Sequence, residues 1–373
     1  MKPRAVTGLG VLSPLGVGRA AFVAGLAAGE RPAGKDGQLE IPGFDAARHL
    51  GDKGLRSLDR LTKLLIVSAR LALHDAGLKR DGAWAALSPE EVGLVVSNAY
   101  GSLEATVELD RVATLEDARY INPSRFPLTV SNSAAGYASI WEELRALNVS
   151  VSDGNCGALD AVACADVLLE QGRAKALLVG GAEAASEALL LAFQKLGAVG
   201  DGAWLGEGAA LLALEPSSLA RARGASVLAE IVGYGTAFEA PEKETTLLHP
   251  SPEALVRAVA DALADAAVPA HDVDLVVSGV SGLRAFDEAE LVGLSRALGD
   301  VGVLAPKLAV GETLGAGGAL GLTTAVTLLA PGAVAPASLR VRGTLRSPPR
   351  TAVVTSVGYY GNASAVVIRA AGA

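Results

Sequence analysis

Val151-Ser-Asp-Gly-Asn-Cys-Gly-Ala-Leu-Asp-Ala-Val-Ala-Cys-Ala-Asp-Val-Leu-Leu-Glu-Gln-Gly172 is the stretch on which the fold turns. A short extended segment meets a Ser-Asp-Gly turn and then a Gly/Ala-rich helix expected from about Asn155 to Gln171. That is the layout of a nucleophile elbow, where a reactive side chain stands on a sharp strand-to-helix turn. Here an amide, Asn155, stands at the nucleophile's place and Cys156 follows one step later. An amide cannot carry an acyl chain as a thioester. One residue along a helix is a rotation of about 100°, so a thiol at Cys156 would point away from the spot that Asn155 faces.

Composition sets the frame for that stretch. A chain of 373 residues suggests two domains or one duplicated domain. Half of its residues are hydrophobic but only 4% are aromatic, and there are 44 glycines, which favours closely packed Ala/Gly/Val/Leu helices and strands. A net charge of −8 argues against a nucleic-acid partner, which selects for a basic footprint. Thr313 to Leu339 carries no charge. The glycines and prolines that interrupt it point to a helix buried in a large core rather than to a membrane span. Cys156 and Cys164 lie eight apart on one expected helix, roughly 12 Å along its axis, too far to bridge. With no positively charged, apolar leader at the start, a reduced, cytoplasmic protein is expected.

The chain repeats itself. Val92-Gly-Leu-Val-Val-Ser-Asn-Ala-Tyr-Gly101 is echoed by Val273-Asp-Leu-Val-Val-Ser-Gly-Val-Ser-Gly282, and Ala72-Leu-His-Asp-Ala-Gly-Leu78 by Ala262-Leu-Ala-Asp-Ala-Ala-Val268. Each unit reads as a helix, a short loop and a buried strand ending in a small-residue turn. Apolar strands alternating with helices imply an α/β fold with parallel sheets covered on both faces. A second apolar helix, about Thr313 to Leu329, corresponds to the one after Asn155, and the two are expected to pack together between two sheets. Strands at Gly208 to Glu215, Ala352 to Thr355 and Ser364 to Ile368 close the halves. The expectation is a duplicated, layered α-β-α-β-α fold with halves 1–225 and 226–373.

Several motifs in order resemble β-ketoacyl synthases of the thiolase-like superfamily. They are Ala5-Val-Thr-Gly-Leu-Gly-Val-Leu-Ser-Pro-Leu-Gly16, the 151–172 stretch, Leu177-Leu-Val-Gly-Gly-Ala-Glu183, Gly206-Glu-Gly-Ala209 and Lys307-Leu-Ala-Val-Gly-Glu-Thr-Leu-Gly-Ala-Gly-Gly318. The resemblance implies a catalytic Cys and two His. Counting back from Gly172, Gly180 and Gly181 places Asn155 on the cysteine's position. The first histidine's position falls on Gly279 and the second on Glu312, five after Lys307. Glycine donates no proton, and a carboxylate repels an enolate. The four histidines lie outside these motifs and read as ordinary surface or helix positions. Gly358-Tyr-Tyr-Gly361 stands where the family has a gating loop, with Tyr360 at a glycine position.

Within the family the chain is most similar to chain-length factors, the ketosynthase β subunits of type II polyketide synthases, which carry an amide in place of the cysteine. That likeness implies a catalytically silent subunit, paired with an active ketosynthase α subunit, that shapes the tunnel for a growing chain held on an acyl carrier protein's phosphopantetheine arm. No metal or organic cofactor is implied. The segment Gly101 to Ala113 aligns onto the tunnel-lining helix, where Ser102, Ala105, Thr106, Leu109 and Val112 share one face. Two other readings stand beside it: an acyltransferase working through Cys156 as a displaced nucleophile, and a malonyl decarboxylase working through Asn155. Lys307, Glu312 and Glu207 are expected to form a structural ion pair among themselves. Asp160 and Asp166 are expected to be hydrogen-bonded or partly solvated, and Cys164 to be core.

Overall fold

The structure is a computed structural model and describes residues 1–199, 202–243 and 248–372. Its first half contains β1 (Arg4–Ser13), β2 (Val92–Ser97), β3 (Asn148–Val151), β4 (Ala176–Glu183) and β5 (Gly208–Pro216). The second half contains β6 (Ala229–Phe238), β7 (Leu275–Val277), β8 (Gly302–Leu304), β9 (Thr351–Val357) and β10 (Asn362–Ala370). The spatial order runs β8-β7-β9-β10-β6-β1-β5-β4-β2-β3. A short strand, Arg340–Arg342, pairs antiparallel outside β8. Counted inward from β8 and from β3, the five strands of each half follow one rule: third, second, fourth, fifth, first. The hand of pairing repeats as well. β3–β2–β4 and β8–β7–β9 are parallel, while β4–β5–β1 and β9–β10–β6 are antiparallel. The halves meet where β1 pairs with β6 from Arg4 opposite Ile231 to Val6 opposite Ala229.

The duplication expected from the echoed segments is therefore present, but the sheets are mixed rather than all-parallel. Only the echoed strands, β2 and β7, pair in parallel on both sides. β9 and β10 are joined by the four-residue loop 358–361, which is long enough for a hairpin and far too short for a parallel crossover.

Helices make three further layers. The Arg60–Asp75 and Ser133–Glu142 helices cover the outer face of the first half, packing Leu64, Leu65, Ala134 and Ala138 against Leu94, Leu178 and Leu211. The Pro252–Ala266 and Arg284–Leu298 helices cover the second, packing Leu255, Val259 and Leu294 against Val276, Val353 and Val367. The Gly157–Glu170 and Gly317–Leu328 helices lie between the sheets, in one core with strand residues of both halves. They approach closely because a glycine stands at the crossing: a Cβ on Gly318 would come within 3.0 Å of Leu159 and 3.3 Å of Ala158. The uncharged 313–339 stretch is this buried helix with its exit. Among the described residues no helix is long and apolar enough to cross a membrane. The fold is the layered, thiolase-like α-β-α-β-α arrangement.

Candidate active site

The site forms where the N-terminal turn of one central helix meets three loops, 98–101, 278–282 and 311–315, and the hairpin loop 358–361. The elbow is built as its sequence requires. Strand β3 ends at Val151, and Cys156 caps the helix that begins at Gly157. Glycine at 157 gives the Ser97 hydroxyl at the end of β2 its room, since a Cβ there would lie 2.3 Å from it. Asn155 is 4% exposed; its carbonyl accepts the Ser356 hydroxyl at 2.8 Å, and its amide oxygen has no partner.

Cys156 points elsewhere, as the rotation argument requires. Its thiol is fully buried and lies 3.6 Å from the Ser356 carbonyl, to which it donates. Desolvation, aided by the Asp160 and Asp153 carboxylates, holds its pKa well above that of a free thiol. Such a thiol stays protonated and is a poor nucleophile. Asp160 behind it accepts from Tyr234 at 2.7 Å and Ser364 at 2.6 Å, and burial pushes it up to about 7. Asp166 pairs with Arg4 at 2.6 Å, so both helix carboxylates are satisfied as expected. Cys164 differs from expectation: it is only partly buried, at the edge of the central core.

The other two positions that the motif singles out are filled from within the chain. Gly279 donates its N–H to Glu290 at 2.8 Å, and a Cβ on Gly279 would meet the second Glu290 oxygen at 2.9 Å. Glu290 thus occupies the space that a side chain at 279 would enter. It also accepts the Thr355 hydroxyl at 2.6 Å, and burial pushes it up to about 7. Glu312 accepts from Lys307 at 2.7 Å and from the Leu314 N–H at 2.8 Å, with both charged side chains almost completely buried. Glu207 is not part of this pair. It is fully buried and takes Arg60, the first residue of the Arg60–Asp75 helix, at 2.6 Å.

Two further acids, one buried and one half-buried, tie the loops together. Glu183 accepts the N–H groups of Ala99, Tyr100 and Gly315, at 2.7, 3.4 and 3.2 Å, and is pushed up to about 7 by burial. Asp287 accepts those of Ser281 and Gly282, both at 2.9 Å. Sequence reading missed Asp287 and Glu290. Their signal is an acidic pair three apart, on one face of a helix that begins just after a glycine-ended turn.

In the hairpin loop, Tyr360 is 64% exposed, and the neighbouring Tyr359 is the side chain that turns inward. The Tyr359 ring packs edge-on against Phe286, centroids 5.1 Å apart, and a Cβ on Gly154 would come within 3.1 Å of it. Tyr360 is the residue at the family's glycine position; its ring stands edge-on to that of Tyr359, centroids 6.3 Å apart, on the outer side of the pair. Gly358 and Gly361 flank them, with Gly361 at φ 88°. His249 also departs from its sequence reading, since its backbone N–H donates to the Tyr359 carbonyl at 2.7 Å, against this same loop.

The helix expected to line a tunnel spans Leu103–Val112. Ser102 and Ala105 are buried in the chain's own interior, Leu109 and Val112 are half-buried and Thr106 is exposed. Among the described residues, no group of three or more His, Cys, Asp or Glu side chains is arranged to hold a metal ion.

Known proteins bear on this geometry directly. The family model described as β-ketoacyl synthase, N-terminal domain, matches residues 1–220, and that for the C-terminal domain matches 228–339. The chain is 30% identical to 3-oxoacyl-[acyl-carrier-protein] synthase 2 of Vibrio cholerae, with 84% of this chain and 83% of that one covered. It is also 30% identical to the tetracenomycin polyketide synthase ketoacyl synthase beta subunit of Streptomyces glaucescens, with 98% of each covered. Among solved structures it superposes on the ishigamide ketosynthase/chain length factor with a TM-score of 0.86 over 100% of both chains, a likeness of fold at 23% identity. A type II polyketide synthase acyl-carrier protein in complex with its ketosynthase gives 0.84 at 22% identity over 99% of both. The duplicated strand order, the elbow at Asn155 and the matches over both halves have one explanation: this chain belongs to the β-ketoacyl synthase family.

Proposed function

We propose that the chain is a catalytically silent chain-length factor, the β subunit of a type II polyketide ketosynthase. It pairs with an active α subunit in decarboxylative condensation on an acyl carrier protein. The observation that carries this reading is the state of the three positions where the chemistry needs a thiolate and two proton donors. They hold an amide at Asn155, a glycine at Gly279 whose side-chain space belongs to Glu290, and a carboxylate at Glu312 already bound to Lys307. Cys156 offers no substitute, being sealed and protonated. The partner supplies the Cys and both His; this chain supplies the interface and part of the tunnel wall, and needs no cofactor.

The surface supports a pairing role. Val107, Leu115, Tyr120, Phe126, Val130 and Ile140 are all exposed along the 103–142 region, with Leu115, Tyr120, Phe126 and Ile140 between 65% and 78%. Exposed apolar side chains concentrated in one region of the chain favour association there. Thr106 lies among them, on the helix whose face of Ser102, Ala105, Thr106, Leu109 and Val112 is assigned to the tunnel in this reading. Residues 1–225 and 226–373 are its two thiolase-like halves, and 358–361 is its gating loop. Its two free thiols suit a reducing cytoplasm.

Intact-mass spectrometry after exposure to acyl and malonyl carrier-protein thioesters tests silence, with a competent ketosynthase run alongside as control. The expected result is no adduct and no loss of carbon dioxide from the malonyl group. A stable adduct on Cys156 would make the chain an acyltransferase. Malonyl loss abolished by Asn155→Ala would make it a decarboxylase.

A further inference from the structure

We infer that Tyr359 is a fixed plug, sealing the space in front of Asn155 so that no acyl arm enters this chain through its own mouth. The inference rests on the silent-subunit reading for its meaning, and on geometry for its content. The Tyr359 ring lies over Gly154, within 3.1 Å of where a Cβ would stand, and is held edge-on by Phe286 at 78°. It joins an apolar cluster with Leu189, Leu283 and Leu314. Its hydroxyl is buried beside the Asn155 amide, whose oxygen has no partner.

A gate must also swing, and this loop is clamped from three sides. His249 donates its backbone N–H to the Tyr359 carbonyl at 2.7 Å, and Glu239 donates to the Gly361 carbonyl at 2.8 Å. Gly358 donates to the Asn362 carbonyl at 2.8 Å, and the Asn362 side chain donates to Asp153 at 2.9 Å, tying the hairpin to the elbow. Gly361 makes the clamp possible, because a Cβ there would fall 2.0 Å from the Glu239 carbonyl oxygen. A ring packed on one face, with backbone bonds on either side of it, stays in place. Any volume that this chain lends to a growing polyketide therefore opens at the 103–112 helix, on the partner's side, and not at the elbow.

A cysteine placed at the elbow reports access. Asn155→Cys, Asn155→Cys with Tyr359→Phe, and Asn155→Cys with Tyr359→Gly are treated with iodoacetamide, and modification at residue 155 is followed by peptide mass spectrometry. Cys156 serves as the buried control, and circular dichroism checks folding. The single variant and the Phe variant should react at least tenfold more slowly than the Gly variant. Equal rates in all three would remove the plug. If the Gly variant does not fold, hydrogen exchange of 358–361 in the unaltered chain decides. Protection matching the neighbouring β10 supports the clamp, and exchange within seconds overturns it. A freely reactive Asn155→Cys would leave the silent-subunit reading intact, whereas an acyl adduct on the unaltered chain would remove that reading itself.

Discussion

Lys307 and Glu312 are five residues apart, and their side chains are 3% and 1% exposed. Two charges so far from water are held by their mutual contact and by the Leu314 N–H. Removing one partner leaves a buried, uncompensated charge. Glu312→Ala should therefore destabilise the chain by about 3–5 kcal/mol. Replacing both, with Lys307→Met and Glu312→Leu, should recover most of that loss, since the apolar pair needs no desolvation. Urea unfolding midpoints of the three proteins check this; a double variant as unstable as the single one would mean that the pair does more than neutralise itself. At this scale sequence spacing was informative: it put Lys307 and Glu312 in reach of each other and turned Cys156 away from Asn155. It could not show that Glu207 would go to Arg60, because that choice depends on which remote helix packs against a buried carboxylate.

Packing of the central elements depends on glycines where backbones nearly touch. Gly315 lies at the entry to the Gly317–Leu328 helix, and a Cβ there would stand 2.5 Å from the Ala99 nitrogen and from Asn98 Cα. Those are backbone atoms just beyond β2, and no side-chain rotation relieves the contact. Gly315→Ala should cost about 3 kcal/mol by overpacking and should disturb the Glu183 bond to the residue's own N–H. At Gly172, by contrast, a Cβ would meet open space. Gly172→Ala should lose only the advantage glycine has at its φ of 67°, about 1 kcal/mol. Chemical denaturation of both variants tests the contrast; equal losses would mean that the contact at Gly315 relaxes at little cost. Element existence and order were legible in the echoed segments, because buried strands and apolar helices carry their periodicity locally. Pairing direction was not, since it is set by loop lengths and by which strands end up adjacent.

Across the whole molecule, three buried carboxyls set a trend with pH. Asp160, Glu183 and Glu290 are each pushed up to about 7, mainly by burial. Unfolded, such groups ionise near 4. Between roughly pH 4 and 7 the folded chain therefore holds more protons than the unfolded one, and stability falls as pH rises through that window. The chain should be more resistant to urea at pH 5.5 than at pH 8. Glu290→Gln, which keeps an acceptor for the Gly279 N–H but has no proton to lose, should reduce the difference by about a third. An unchanged difference in that variant would place the titration elsewhere.

Sequence by itself determined the family and the duplication, and it supplied the three positions on which the proposed silence rests, because each is a matter of residue type at a counted spacing. Asn155, Gly279 and Glu312 are what they are in any conformation. Tertiary structure decided what fills the room they leave: Glu290 beside Gly279, and Tyr359 rather than Tyr360 over Gly154. It also brought His249 and Glu239 against the hairpin loop. These contacts join residues far apart in the chain and depend on which face of a strand or turn looks inward. That is settled only when the two sheets close around their central helices.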